Sequence, residues 1–264
     1  MVETGKIGKR DIVLEIGPGR GALTEKLLET GAKVMAVEKD DELFELLKQK
    51  FEREILSRQF VLVHKDILNF QTSNLQTYKL IANIPYNITG AILKKFLGAD
   101  RQPERMVLLV QKEVAERIVG NRGRQASMKE SVLSISVKAY GTPKYVETVK
   151  AGSFAPMPGV DSAIIAIDDI SKEFFKTSAV SANPRYAEGS GEARGYDVLK
   201  EKEFFVMVRA GFKSKRKKLS SNLASIPGVD KSMVAKAFQK LNLDDNLRAE
   251  DGVSRLGGNL FVLF

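Results

Sequence analysis

The 264-residue sequence contains no cysteine, no tryptophan and a single histidine, His64. Without thiols there can be no disulfide, no thiolate nucleophile and no cysteine-ligated zinc, and the composition fits a reducing compartment. One histidine leaves no basis for a Ser/His/Asp triad or a histidine-rich centre, so no metal site is expected. No apolar run reaches the roughly 18 residues a membrane span needs, and Met1 to Arg10 lacks the apolar stretch of a signal peptide. These absences describe a cytoplasmic protein without a membrane partner, with a monomer as the default state.

Hydrophobic residues make up 43% of the chain and charged residues 28%, the balance of a folded globular protein rather than a disordered one. A formal charge of +9 favours a polyanionic partner, nucleic acid or an anionic surface, without choosing between them. The length suits one large α/β domain with a small appendage.

Short apolar runs alternate with amphipathic segments over the first two-thirds, as in βαβ units of a largely parallel sheet. Strands are expected at 11–16, 33–38, 60–64, 78–82 and 105–111. Helices are expected over Ala22 to Glu29, Asp41 to Arg53 and Ile88 to Leu97. Ser131 to Tyr140 and Asp161 to Asp168 read as an antiparallel hairpin at the sheet edge, which makes seven strands in all. The polar, glycine-containing stretch 171–197 reads as a linker or loop between a domain at 1–170 and a helical one at 198–264. In the latter, Leu199 to Phe212, Lys217 to Ala224, Lys231 to Leu241 and a last apolar segment ending at Phe264 look helical.

Asp11 to Ala22 is an apolar strand running into a turn with Gly17, Gly19 and Gly21 and then a helix. Such glycines let the backbone turn sharply and approach a ligand closely. Glu38 ends the second strand about 20 residues on, where a carboxylate can accept from both ribose hydroxyls. Gly17, Gly19 and Ala22 also satisfy the dinucleotide pattern. Glu15 favours S-adenosylmethionine, because a carboxylate there suits the cationic amino-acid end of that cofactor and repels a pyrophosphate. Asp66 reads equally well as a contact to the cofactor adenine or as a helix N-cap.

Asn83-Ile84-Pro85-Tyr86 follows the fourth strand, at the carboxyl edge of the sheet beside the glycine turn. An adenine amine is a poor nucleophile because its lone pair is delocalised into the ring. The Asn83 side-chain oxygen and the Ile84 carbonyl suit its N–H groups, Pro85 stiffens the turn, and Tyr86 offers a face for a flipped base. The pattern predicts methylation of that amine, with Asn83 also counted among the cofactor contacts and with no general base required.

The chain resembles the rRNA adenine dimethyltransferase family, and within it the small-subunit branch. Besides the glycine turn and Asn-Ile-Pro-Tyr, the resemblance rests on Val107 to Arg117, on Phe154 to Ala163 as an F-x-P-x-P-x-V-D-S signature, and on Gly211 to Leu219 and Leu247 to Glu250. It implies a Rossmann-like seven-stranded methyltransferase sheet with a small C-terminal helical domain. It also implies a cofactor site at Glu15, Gly17, Gly19, Glu38 and Asp66, Asn83 to Tyr86 around the target amine, and Phe154 closing over the base. The implied activity is S-adenosylmethionine-dependent dimethylation of two adjacent adenosines in small-subunit rRNA, with the helical domain docking on the subunit. Family members ordinarily carry a basic segment with a Gln-Asn-Phe-Leu-type motif ahead of the first strand. Nothing before Asp11 resembles it, so the chain reads as a truncated or divergent member.

Lys213, Lys215, Arg216, Lys217 and Lys218 form a dense basic run. It reads either as a solvated face or, beside an RNA-modifying site, as a set of phosphate contacts. Arg20, Arg117, Arg122 and Arg124 are candidates to extend it. Two other functions compete: a large-subunit enzyme of the macrolide-resistance type, and an RNA-binding assembly or transcription factor that kept the fold and lost catalysis.

Overall fold

A computed structural model of the chain describes residues 1–120, 129–177, 193–214 and 216–250. These divide into two compact units, one of residues 1–116 and 141–171, the other of 117–140 and 172–264. In chain order the first part contains α1 (Val2–Gly5), β1 (Ile12–Ile16), α2 (Ala22–Glu29), β2 (Lys33–Glu38), α3 (Asp41–Lys50), α4 (Glu52–Leu56), β3 (Phe60–His64), β4 (Lys79–Asn83), α5 (Thr89–Leu97), β5 (Arg105–Gln111) and α6 (Lys112–Val119). Then follow α7 (Val132–Lys138), β6 (Thr142–Val149), β7 (Ser162–Asp168), α8 (Glu173–Thr177), α9 (Ala193–Gly211), α10 (Leu219–Leu223) and α11 (Lys231–Lys240).

All seven strands form one sheet in the first unit, in the order β3-β2-β1-β4-β5-β7-β6. The five strands from β3 to β5 are parallel, while β7 runs antiparallel between β5 and β6. Central parallel strands are covered on both faces and so read as unbroken apolar runs. Val13, Leu14, Leu80, Ile81 and Met106 to Leu108 are accordingly all fully buried. Helix α3 shows the usual terminal chemistry: the Asp40 side chain accepts from the Leu43 amide at 2.9 Å, acids lie in the first turn and Lys48 and Lys50 in the last. The chain leaves this helix at Phe51, so the single helix expected over Asp41 to Arg53 is two, α3 and α4.

One expected strand is a helix. In Ser131 to Tyr140 the serines alternate with apolar residues, but their hydroxyls serve the backbone. Ser131 and Ser134 form a reciprocal capping box, and Ser136 donates to the Val132 carbonyl at 2.6 Å. The strand that pairs with β7 is β6 instead, an edge strand whose Pro143, Lys144 and Glu147 conceal it from a hydrophobic reading.

The second unit is helical. Within the stretch expected to be a linker, Glu173–Thr177 is α8, and α9 begins at Ala193. Phe175 and Phe204 are buried with ring centroids 5.7 Å apart, and the Tyr140 hydroxyl donates to Glu201 at 2.6 Å. The apolar segment ending at Phe264 lies outside the described residues. Among those described, no helix is long and apolar enough to cross a membrane.

Candidate active site

The parallel register sets the site. Ile16 of β1 faces Val37 of β2 on one side and Ala82 of β4 on the other, so the next residues, Gly17, Glu38 and Asn83, fall in one row at the carboxyl ends of adjacent strands. Connections leave β1 and β4 in opposite directions across the sheet, and at such a switch point a ligand crevice opens. His64, paired with Glu38, brings the Lys65-Asp66 turn to the same edge.

Gly17 and Gly19 have φ of +60° and +59°, a left-handed conformation that side chains disfavour, and a Cβ built on either meets nothing within 4 Å. Open space therefore lies over the turn. Gly21 differs in kind, since a Cβ there would stand 2.5 Å from the Phe51 ring. That glycine lets α2 pack, whereas the first two leave a cradle.

Glu15 is 1% exposed. Its Oε2 accepts from the Thr24 hydroxyl at 2.7 Å, while its Oε1 is buried without a hydrogen-bond partner among the described residues. Burial, with a smaller contribution from the negative charge of Glu38, pushes the Glu15 carboxyl up to about 7 against the pull of Thr24. A buried, half-satisfied carboxylate is costly unless a cation completes it, and the ammonium of S-adenosylmethionine is a group of that kind. Glu38 accepts from the Lys39 and Asp40 amides through Oε1, at 2.9 and 3.0 Å. Its Oε2 takes only a long 3.3 Å bond from the Gly19 amide, so this oxygen keeps acceptor capacity for ribose hydroxyls. Asp66 Oδ1 accepts from the Leu68 amide at 2.8 Å and caps the 3-10 turn Ile67–Asn69. The capping alternative thus holds, and it leaves Oδ2 available. These residues fit S-adenosylmethionine.

On the acceptor side, Asn83 is exposed and its side chain makes no hydrogen bond among the described residues, whereas Ile84 is buried and its amide donates to the Leu109 carbonyl at 3.3 Å. Buried Ile84 fixes the turn and exposed Asn83 faces outward from the strand end. Pro85 (φ −55°) enters the 3-10 turn Tyr86–Ile88. The half-buried Tyr86 shares a 2.8 Å hydrogen bond between its hydroxyl and Ser162 Oγ. Phe154, partly buried, packs against the core cluster of the sheet. Behind it, Asp161 holds the segment closed: Oδ1 accepts from the Ala151 amide at 3.1 Å and Oδ2 from Lys150 at 2.9 Å. The hydrogen bond from Lys150 holds the Asp161 carboxyl below its ordinary value.

The glycine cradle, the two carboxylates and Asn83 share the edge of one sheet, and comparison with known proteins names the family. The ribosomal RNA adenine dimethylase family matches residues 1–182. The chain belongs to that family. Membership makes it an S-adenosylmethionine-dependent rRNA adenine methyltransferase with a Rossmann-like sheet. It is 39% identical over 244 residues to the ribosomal RNA small subunit methyltransferase A of Dehalococcoides mccartyi strain CBDB1, covering 91% of this chain and 74% of the relative. It is 34% identical over 255 residues to the protein of the same name from Thermosynechococcus vestitus, covering 95% and 84%. Among solved structures, a dimethyladenosine transferase from Plasmodium falciparum is similar with a TM-score of 0.72 at 24% identity, over 99% of this chain and 91% of that one. The 23S rRNA methyltransferase ErmE gives 0.69 at 23%, over 99% and 93%. At those identities the two structures bear on the fold alone.

Gly17, Glu38 and Asn83, grouped from the sequence, stand together at the strand ends. The sequence did not single out Thr24 as the partner of Glu15 or Ser162 as the partner of Tyr86. Thr24 stands on the first turn of the helix after the glycines, facing back to the strand, and a small hydroxyl at that spacing was the available signal. Ser162 lay within a quoted signature but 76 residues from its partner, a distance no local pattern spans.

In the helical unit, Lys213, Arg216, Lys217 and Lys218 are exposed around the turn between α9 and α10. Lys215, Arg122 and Arg124 lie outside the described residues. Asn222 is buried and donates to the carbonyls of Gly211 at 2.7 Å and Ser214 at 3.0 Å, so the turn carrying these cations has a fixed course.

Proposed function

We propose that this enzyme dimethylates the N6 amines of two adjacent adenosines in small-subunit rRNA during ribosome assembly. The observation that carries the reading is the placement of Asn83, exposed and with no side-chain hydrogen bond among the described residues, one strand away from the open glycine turn. The names of the relatives favour the small subunit over the large.

Glu15 takes the ammonium of S-adenosylmethionine, Glu38 its ribose and Asp66 its adenine amine, with Gly17 and Gly19 leaving room for its backbone approach. Bound there, this cofactor supplies a methyl carbon made electrophilic by sulfonium. Asn83 Oδ1 and the Ile84 carbonyl accept the two N–H bonds of the target amine and favour a pyramidal nitrogen whose lone pair points at that carbon. Asn83 also borders the cofactor. Tyr86 stacks on the flipped base, Pro85 stiffens the turn beneath it, and Phe154 closes the opposite face. The amine becomes strongly acidic only on methylation, so its proton leaves to water without a tuned base.

The test is methyl incorporation into small subunits that lack these methyl groups, compared with naked large-subunit RNA. Incorporation into the former at adjacent adenosines is expected; preference for the latter overturns the assignment. The protein acts as a cytoplasmic monomer.

Lys213, Arg216, Lys217 and Lys218, with Lys215, contact phosphates and position the subunit without reading sequence. Replacing Lys213, Arg216 and Lys217 by alanine is expected to lower the slope of log affinity against log salt by about two to three. A binding series from low to high salt checks this, and an unchanged slope assigns the run to solvent.

A further inference from the structure

The geometry points to Ser162 as a positioning residue for methyl transfer, acting through its hydrogen bond to the Tyr86 hydroxyl. This rests on the stacking role of Tyr86 given above.

Ser162 is fully buried and begins β7, an interior strand held by β5 on one side and β6 on the other, where it pairs with Gln111 and Val149. Tyr86 stands on a three-residue 3-10 turn whose backbone, among the described residues, makes no hydrogen bond to a strand. A stacking platform on such a turn keeps its tilt only if something rigid holds the far end of the ring. The 2.8 Å bond to Ser162 Oγ does so from the sheet. At the near end, Thr89 donates to the Tyr86 carbonyl at 3.3 Å, so backbone and hydroxyl are both tied. Side chains that orient a reacting group are most effective when carried on rigid elements, and a misplacement of an ångström lowers turnover more than it lowers binding. Affinity for a nucleic acid comes largely from phosphate contacts, which neither side chain makes in this reading, so the loss falls on kcat.

The experiment measures kcat, KM for undermethylated small subunits and Tm for Ser162→Ala, Ser162→Thr, Tyr86→Phe, Tyr86→Ala and the double variant Ser162→Ala with Tyr86→Phe. Ser162→Ala is expected to lower kcat about tenfold, the worth of one buried hydrogen bond, with KM changed less than about twofold. Tyr86→Phe lowers it to the same degree, the double variant no further than either single one, and Ser162→Thr restores most of it. Equal additional loss from Ser162→Ala in the Tyr86→Phe background, or full activity of Ser162→Ala, overturns the positioning role. If Ser162→Ala does not fold, Tyr86→Phe removes the same bond from the other side, and full activity of that variant overturns it as well. Tyr86→Ala separates the two levels. Wild-type turnover in that variant removes the stacking reading itself, whereas an impaired Tyr86→Ala beside an unimpaired Ser162→Ala removes only the role of Ser162.

Discussion

Asn83→Ala lowers kcat for methyl transfer by about 10²–10³, the usual worth of one preorganised polar group aimed at a reacting centre. Because the wild-type side chain is exposed and makes no hydrogen bond within the described protein, its removal costs the fold nothing, and Tm stays unchanged. Affinity for S-adenosylmethionine is expected to fall by less than about tenfold, since the proposed charged and bidentate contacts belong to Glu15 and Glu38. Single-turnover incorporation of labelled methyl groups, with calorimetric titration of the cofactor, measures both quantities. Turnover by Asn83→Ala within about threefold of wild type would leave the target amine without its assigned acceptor.

The second expected result concerns Glu15 and pH. Its carboxyl titrates near 7 in the folded protein against 4.5 for an ordinary glutamate. Between these values the folded chain holds more protons than the unfolded one, so stability falls as pH rises through the window. The loss reaches about 3 kcal/mol above pH 7, when Glu15 is ionised in both states. Cofactor binding runs the other way, because only the ionised form pairs with an ammonium. From pH 5.5 to 7 the affinity for S-adenosylmethionine rises about tenfold, and the thermal shift it produces rises with it. Glu15→Gln keeps the Thr24 hydrogen bond but places an amide donor where the cation belongs. It weakens cofactor binding by about 10–100-fold at pH 7, abolishes its pH dependence over this range, and makes the ligand-free protein more stable above pH 7 than wild type. A dissociation constant for the wild type that does not move between pH 5.5 and 7 would falsify the pairing.

Much of this architecture is legible because the elements that build it are the most strongly patterned. The unbroken apolar runs of β1, β4 and β5 are what buried parallel strands require, and the residues that follow them must emerge at a common edge. That is why Gly17, Glu38 and Asn83 can be assigned together from sequence. Legibility fails where a hydroxyl serves the backbone. Ser131, Ser134 and Ser136 mimic the polar face of a strand while capping and bonding a helix, and the true sixth strand, β6 with Pro143 and Lys144, is patterned for an exposed edge. It fails again at the division of the chain, since nothing in the composition of 117–140 marks it as part of the helical unit. Long-range pairs are hidden for another reason: Tyr86 and Ser162 meet only because β7 is threaded back beside β5.

That reversed strand has an evolutionary corollary. A parallel strand in its place would start at the far rim of the sheet and would need a crossover along one face to be reached from β6. Running backwards, β7 starts where β5 stops, so the 12 residues from Lys150 to Asp161 that join β6 to β7 lie at the edge where the parallel strands end. Insertions or exchanges there leave the pairing of β1 and β2, which carry Glu15 and Glu38, as it is.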